Sequence, residues 1–265
     1  MRIARTVAAA IALAGMLAAG AAPATAGAPK RVTATPYAGT PTVGALFITG
    51  LFPLHICTAS VVDSADRSVI MTTAHCIRSG TGAGYEFAPA FHDGKAPYGM
   101  WRVTAAYAAP GWIRHADPHD DFAFLLVAPK QVDGKRRTLQ SVTGGNRLGS
   151  TPAAGSVATA FGYPLGVGGS GLRCRATTYR KGSFDAIRCN GFADGTSGGP
   201  WLSGTGSSRM VVGLVGGLHQ GGCTKEQLYS PPIGEAAHRA LARAGRRGPA
   251  DRFPVPPSDG CTTGQ

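Results

Sequence analysis

Short apolar runs rich in β-branched and aromatic residues recur along the chain: Val43 to Thr49, Ile56 to Val62, Val69 to Thr73, Met100 to Tyr107, Phe122 to Val127, Val157 to Phe161 and Met210 to Val215. Turn residues separate them, as in the strands of a sandwich or barrel. Away from the chain ends, no segment holds helical periodicity for three turns without meeting Gly or Pro, which argues against long helices. Glu235 to Ala244 alone reads as a helix, with Gly245 placed as its stop signal. The polar, basic stretch 131–149 is weakly patterned and reads as a linker between an N-terminal unit, 43–130, and a C-terminal unit, 150–233. The helical stretch 234–245 and an irregular tail, 246–265, follow.

The start of the chain has a different pattern. Arg2 and Arg5 precede an Ala-rich apolar run from Val7 to Ala22, and Ala24-Thr25-Ala26 offers the small residues that a signal peptidase requires. The expectation is a signal peptide over 1–26, cleaved after Ala26, with 27–42 as an N-terminal segment or short propeptide. A membrane anchor is the alternative, but the run is short, broken by Gly15 and Gly20, and followed by Pro23. The mature protein is therefore expected to be secreted, with no membrane attachment after cleavage.

Composition sharpens this picture. With 43% hydrophobic and 15% charged residues, the 265-residue chain is too apolar and too weakly charged to be disordered. Its 39 Gly and 19 Pro lack the collagen period and fit a turn-rich β fold. The formal charge of +12 becomes +10 once Arg2 and Arg5 are removed. Arg239, Arg243, Arg246 and Arg247 give the terminal helix a basic side, which reads as a solvated face; attraction to an anionic cell-wall polymer is the functional alternative. Nucleic acid is not an expected partner, because the basic residues are not interleaved with aromatics and no docking motif is present.

Six cysteines in an oxidising compartment favour three disulfides. Sequence alone leaves the pairing open; neighbours in order, Cys57 with Cys76, Cys174 with Cys189 and Cys223 with Cys261, are the favoured set. No CxxC spacing is present to suggest a thiolate zinc site. His115, Asp117, His119 and Asp120 surround Pro118, which interrupts any helix that would align them on a metal, so they read as a polar loop. The Gly-rich run Gly162 to Gly171 lacks the ending of a phosphate loop and reads as a hairpin or specificity loop.

Two segments carry most of the chemistry. Thr72-Thr73-Ala74-His75-Cys76 closes an apolar strand, and Gly195-Thr196-Ser197-Gly198-Gly199-Pro200 lies in the later half. A serine hydroxyl becomes a nucleophile when a base takes its proton, and the base needs a carboxylate to fix its tautomer. His75 is the candidate base, and Asp121, immediately before the strand Phe122 to Val127, the candidate carboxylate. Adjacent acids point to opposite sides of a strand, so Asp120 is the alternative and register decides. The glycines around Ser197 permit tight turns that converge backbone N–H groups on a developing oxyanion, a role that falls to the amides of Gly195 and Ser197.

Taken together, Thr73-Ala74-His75-Cys76, Asp121-Phe122-Ala123 and Gly195 to Pro200, in the order His, Asp, Ser and spaced by 46 and 76 residues, resemble the trypsin-like, chymotrypsin-fold serine peptidases. The resemblance covers roughly Val43 to Ala244. It implies an all-β fold of two six-stranded antiparallel β-barrels with the active site between them, here followed by a C-terminal helix. It also implies a Cys57–Cys76 disulfide bracing the histidine loop, and a protein or peptide substrate. The expected molecule is a monomeric endopeptidase whose chemistry needs no metal and no cofactor.

Departures from the family pattern narrow the expectation. Thr196 stands where many members carry an Asp that pairs with a new α-amino group, and Val43-Gly44 is followed by Ala45-Leu46 rather than an activation sequence. Activation by that salt bridge is excluded, and the chain looks more like the secreted bacterial branch that includes the glutamyl endopeptidases. Gly191, beside Phe192, falls where basic-residue specificity uses Asp, so trypsin-like specificity is not implied. Val215-Gly216-Gly217 resembles the segment that pairs with substrate backbone, its glycines leaving an open wall. Asp194 and His219 lie close enough in sequence to tune charge preference. The alternatives are an inactive homologue that binds without cutting and an α/β-hydrolase esterase using Ser197, Glu226 and His238, which needs an alternation of strands and helices that the sequence lacks.

Overall fold

The computed structural model describes residues 29–261. The expected cleavage after Ala26 lies outside the described residues. Strands Leu54–Val62, Val43–Ile48, Tyr85–Pro89, Trp101–Ala108, Ala123–Val127 and Val69–Thr72 follow one another around an antiparallel sheet, and the last pairs back with the first. This is a closed six-stranded barrel. Successive side chains point to opposite faces of a strand, and both faces are covered here. Val61, Ile70 and Leu125, in register across three strands, join Leu46, Phe87, Trp101 and Val127 in one cluster that fills the barrel. Their neighbours Val62, Val69, Met71, Phe124 and Leu126 belong to a second cluster, shared with Leu202, Val211 and Leu214 of the later half.

The later half contains two sheets. One runs Arg147–Leu148, Met210–Leu214, Pro200–Ser203, Val157–Gly162, Gly171–Thr177 and Thr35–Tyr37. In the other, Phe184–Asn190 is flanked by Tyr179–Lys181 and Gln227–Ser230 and is also paired in parallel with Val32–Thr33. Ala160, Cys174, Ile187, Phe192, Trp201, Val215 and Leu228 form their shared core. No ladder closes the two sheets into a barrel among the described residues. Almost all pairing is antiparallel, which excludes the parallel sheet of an α/β-hydrolase.

The chain ends cross over. Val32–Thr33 and Thr35–Tyr37 edge the sheets of the later half, while the C-terminal helix, Glu235–Gly245, packs Ala237, Ala240 and Ala244 against the outside of the barrel. Buried residues three and four apart are the stripe an amphipathic helix needs. Gly245, expected as the stop signal, is instead the last helical residue; its Cα packs so closely on Ala65 that an added Cβ would sit 3.2 Å from the Ala65 amide nitrogen. The expected linker, 131–149, takes part in a small hairpin that starts one residue before it, Lys130–Val132 with Lys135–Arg137, and holds a short helix, Leu139–Thr143. Three disulfides, Cys57–Cys76, Cys174–Cys189 and Cys223–Cys261, follow the sequence order of the cysteines.

Candidate active site

Strand Val69–Thr72 ends in a short turn of helix, Ala74–Cys76, that carries His75 away from the barrel wall. Cys76 is buried and tied by its disulfide to Cys57 on the neighbouring strand, so the turn cannot drift. Asp121 sits between the turn Pro118–Asp120 and strand Ala123–Val127, and is 1% exposed. A buried carboxylate requires donors, and Asp121 has three: the His75 amide at 3.0 Å, His75 Nδ1 at 2.8 Å and the Gly217 amide at 2.8 Å. An ionised carboxylate only accepts, so Nδ1 carries the imidazole proton and Nε2 keeps its lone pair. Asp120 faces elsewhere: it accepts the Gly111 amide at 3.1 Å, and burial, then the charge of Asp117, pushes its carboxyl upward.

Ser197 lines a cavity of about 210 Å³ together with His75, Asp194, Gly195 and His219. Its hydroxyl donates to the Gln220 carbonyl at 3.5 Å. Gly195 has φ +86°, and a Cβ there would sit 2.2 Å from the Leu165 amide nitrogen, so only glycine fits. Thr196, buried, donates its hydroxyl to the Ala193 carbonyl at 2.6 Å and so holds the tight turn before Ser197. Amides of Thr196, Gly198 and Gly199 are used within this turn and its neighbours, whereas those of Gly195 and Ser197 donate to no carbonyl among the described residues.

A larger cavity, about 720 Å³, adjoins Ser197 and is lined by Leu165, Phe192, Asp194, Val215, Gln220 and Leu228 among others. Gly191, Gly216, Gly217 and His219 do not line it. Gly216 is closed off by packing: a Cβ there would lie 2.3 Å from Thr73 Cγ2 and 3.1 Å from Asp121 Oδ2. Gly217 serves the carboxylate through its amide, and Gly216 lets Thr73 and Asp121 pack against its Cα. Thr58, Gln220 and Asp259 also reach the site, with no motif to mark them. The polar loop expected around Pro118 forms a separate chain of hydrogen bonds, from Asp117 through His119 to the Ser183 hydroxyl, on the exposed surface.

A buried Asp121–His75 pair and Ser197, which shares a cavity with His75, are thus set beside a closed β-barrel. Residues 57–214 match the trypsin-like peptidase domain, and the chain belongs to that family. The solved structure of Anisep, a protease of Arthrobacter nicotinovorans, is 28% identical with a TM-score of 0.67, covering 81% of this chain and all of its own. The thermostable serine protease AL20, from an extremophilic microorganism, is 26% identical with a TM-score of 0.65, covering 78% of this chain and 98% of its own. A Glu endopeptidase, 16% identical with a TM-score of 0.62 over 81% of this chain and 97% of its own, shares the fold. No curated protein sequence matches the chain.

Proposed function

We propose that the protein is a secreted serine endopeptidase in which His75, Asp121 and Ser197 act as a triad. The observation that carries this is the buried Asp121 carboxylate holding His75 Nδ1 at 2.8 Å beside the cavity lined by Ser197. His75 Nε2 takes the Ser197 proton as the hydroxyl attacks the scissile carbonyl; Asp121 orients the ring and stabilises the imidazolium. The amides of Gly195 and Ser197 stabilise the oxyanion. Collapse of the intermediate passes the proton to the leaving amine and leaves an acyl-enzyme. Water, deprotonated by His75, then releases the acid and restores Ser197. The inactive-homologue alternative lacks a supporting vacancy, since all three positions are filled by competent groups.

The 720 Å³ cavity is the pocket for the side chain preceding the cleaved bond. Phe192, Val215 and Leu228 are buried in its walls, while Asp194, Lys225 and Glu226 are exposed at its rim. With no buried charge to offset desolvation of an ionised side chain, the pocket favours a large apolar residue. Secretion is supported by the signal-like run at 1–26 and by the three disulfides. The test is digestion of casein, an unstructured protein, by the mature enzyme, its Ser197→Ala variant and its His75→Ala variant. The proposal expects cleavage by the first and a loss of about 10⁴-fold or more in both variants; cleavage of esters but not of casein would replace the peptidase with an esterase.

A further inference from the structure

The tail after the C-terminal helix returns to the active site. The Pro257 carbonyl accepts Gln220 Nε2 at 2.7 Å, the Asp259 carbonyl bonds His219 Nδ1 at 3.0 Å, and Cys261 is joined to Cys223. Asp259 itself lines the cavity that holds His75 and Ser197. The side-chain atoms His219 Nδ1 or Nε2, Cys223 Sγ and Cys261 Sγ lie within 4.8 Å of one another, so strap and turn form one compact knot.

What the strap holds is unusual backbone. His219 and Gln220 are successive non-glycine residues in the left-handed region, with φ of 50° and 51°. Such a pair is strained and persists only where its surroundings over-determine it. In this conformation the Gln220 carbonyl accepts the Ser197 hydroxyl, while no hydrogen bond joins that hydroxyl to His75 among the described residues. Gln220 also lines both the larger cavity and the smaller one, so its turn partitions the space that a substrate backbone has to cross.

We propose that residues 254–261 are an autoinhibitory latch. The strap, fixed by Cys223–Cys261 and by its two carbonyls, keeps the 218–222 turn in its left-handed form, with Ser197 drawn to the Gln220 carbonyl and the cleft divided. In a chain that lacks the disulfide or the Gln220 side chain, the turn relaxes, the Ser197 hydroxyl turns to His75 and the two cavities join. The proposal rests on Ser197 being the nucleophile, and its test separates the two ideas.

The test compares the full mature protein with the Cys223→Ser/Cys261→Ser double variant and with Gln220→Ala, which keeps the disulfide but loses the bond to Pro257. A small fluorophosphonate reports the rate of Ser197 modification, KM for an extended peptide reports access, and thermal unfolding reports integrity. Both variants are expected to label about fivefold faster or more, the population shift that one hydrogen bond supports, with a lower KM. Labelling at the wild-type rate or slower in a variant with an intact unfolding transition overturns the latch. If the double variant fails to fold, Gln220→Ala decides alone. Absence of labelling at Ser197 in every form would instead overturn the serine peptidase reading.

Discussion

Thr58 carries no chemistry of its own, yet four hydrogen bonds meet on it. Its hydroxyl donates to the Gly195 carbonyl at 3.0 Å and accepts the Tyr163 amide at 2.7 Å; its amide donates to the Ser197 carbonyl at 2.8 Å, and its carbonyl accepts the Thr72 hydroxyl at 2.7 Å. A barrel strand is thereby stitched to the turn that bears the nucleophile. Thr58→Val keeps the shape and leaves the Gly195 carbonyl and Tyr163 amide without a side-chain partner, so denaturant unfolding should show a loss of about 1–3 kcal/mol. Wild-type stability would mean that these bonds are not what joins the halves.

His55 presents the opposite case, a buried base without partners. Neither ring nitrogen is hydrogen-bonded among the described residues, and the ring stands edge-on among Phe47, Phe91 and Tyr163. Burial pushes its pKa from 6.5 down to about 4. A folded-state value below the unfolded one means that the unfolded chain binds more protons. The stabilisation is thus fully present above pH 6.5 and is lost as pH falls towards 4, a change on the order of 3 kcal/mol. His55→Phe, which suits the aromatic cage, should flatten the dependence of unfolding free energy on pH between 7 and 4. An unchanged slope would place the acid sensitivity elsewhere.

At the scale of elements, the cavity proposed as the substrate pocket is assembled from separate stretches: Pro164-Leu165, residues between Phe192 and Ser197, and Val215, Gln220 to Glu226 and Leu228. Its apolar walls predict that mapped cleavage sites in a peptide mixture follow Phe, Tyr, Leu or Met. A preference for Glu, Asp, Lys or Arg would contradict the pocket assignment. Strands with β-branched or aromatic runs, such as Val43–Ile48 and Val69–Thr72, were legible to within a residue or two because period and propensity agree there. Phe184–Asn190, with Asp185 and Arg188, and Pro200–Ser203, opening on proline, hid behind polar or turn-forming residues. The six-residue helix Pro110–His115 is too short to show periodicity. Nothing in the sequence reveals that Thr73 and Asp121 pack against Gly216 or that the Gly217 amide bonds Asp121.

The whole molecule explains why the residues proposed as a triad could be read from the sequence and the contacts behind them could not. His75, Asp121 and Ser197 each sit in a local motif, whereas Thr58, Gln220 and Asp259 acquire their roles from contacts that span the chain. The basic helix likewise changes meaning once folded. Arg239 pairs with Glu235, Arg243 with Asp251 and Arg247 with Asp66, so much of the charge that suggested a polyanion partner is answered internally. Chain ends that cross between halves bind the two units into one frame around the cleft.

The central claim is that this frame activates one serine. Its most direct measurement is fluorophosphonate labelling of the mature protein, with the adduct located by peptide mass spectrometry beside Ser197→Ala and Ser183→Ala controls. Ser183 is the control because its hydroxyl, on the surface, is hydrogen-bonded to the His119 imidazole at 2.6 Å. The account predicts a single adduct on Ser197, abolished by Ser197→Ala and unaffected by Ser183→Ala. An adduct on Ser183, or a correctly folded protein that labels at Ser197 neither as the wild type nor as the Gln220→Ala or Cys223→Ser/Cys261→Ser variant, would contradict it.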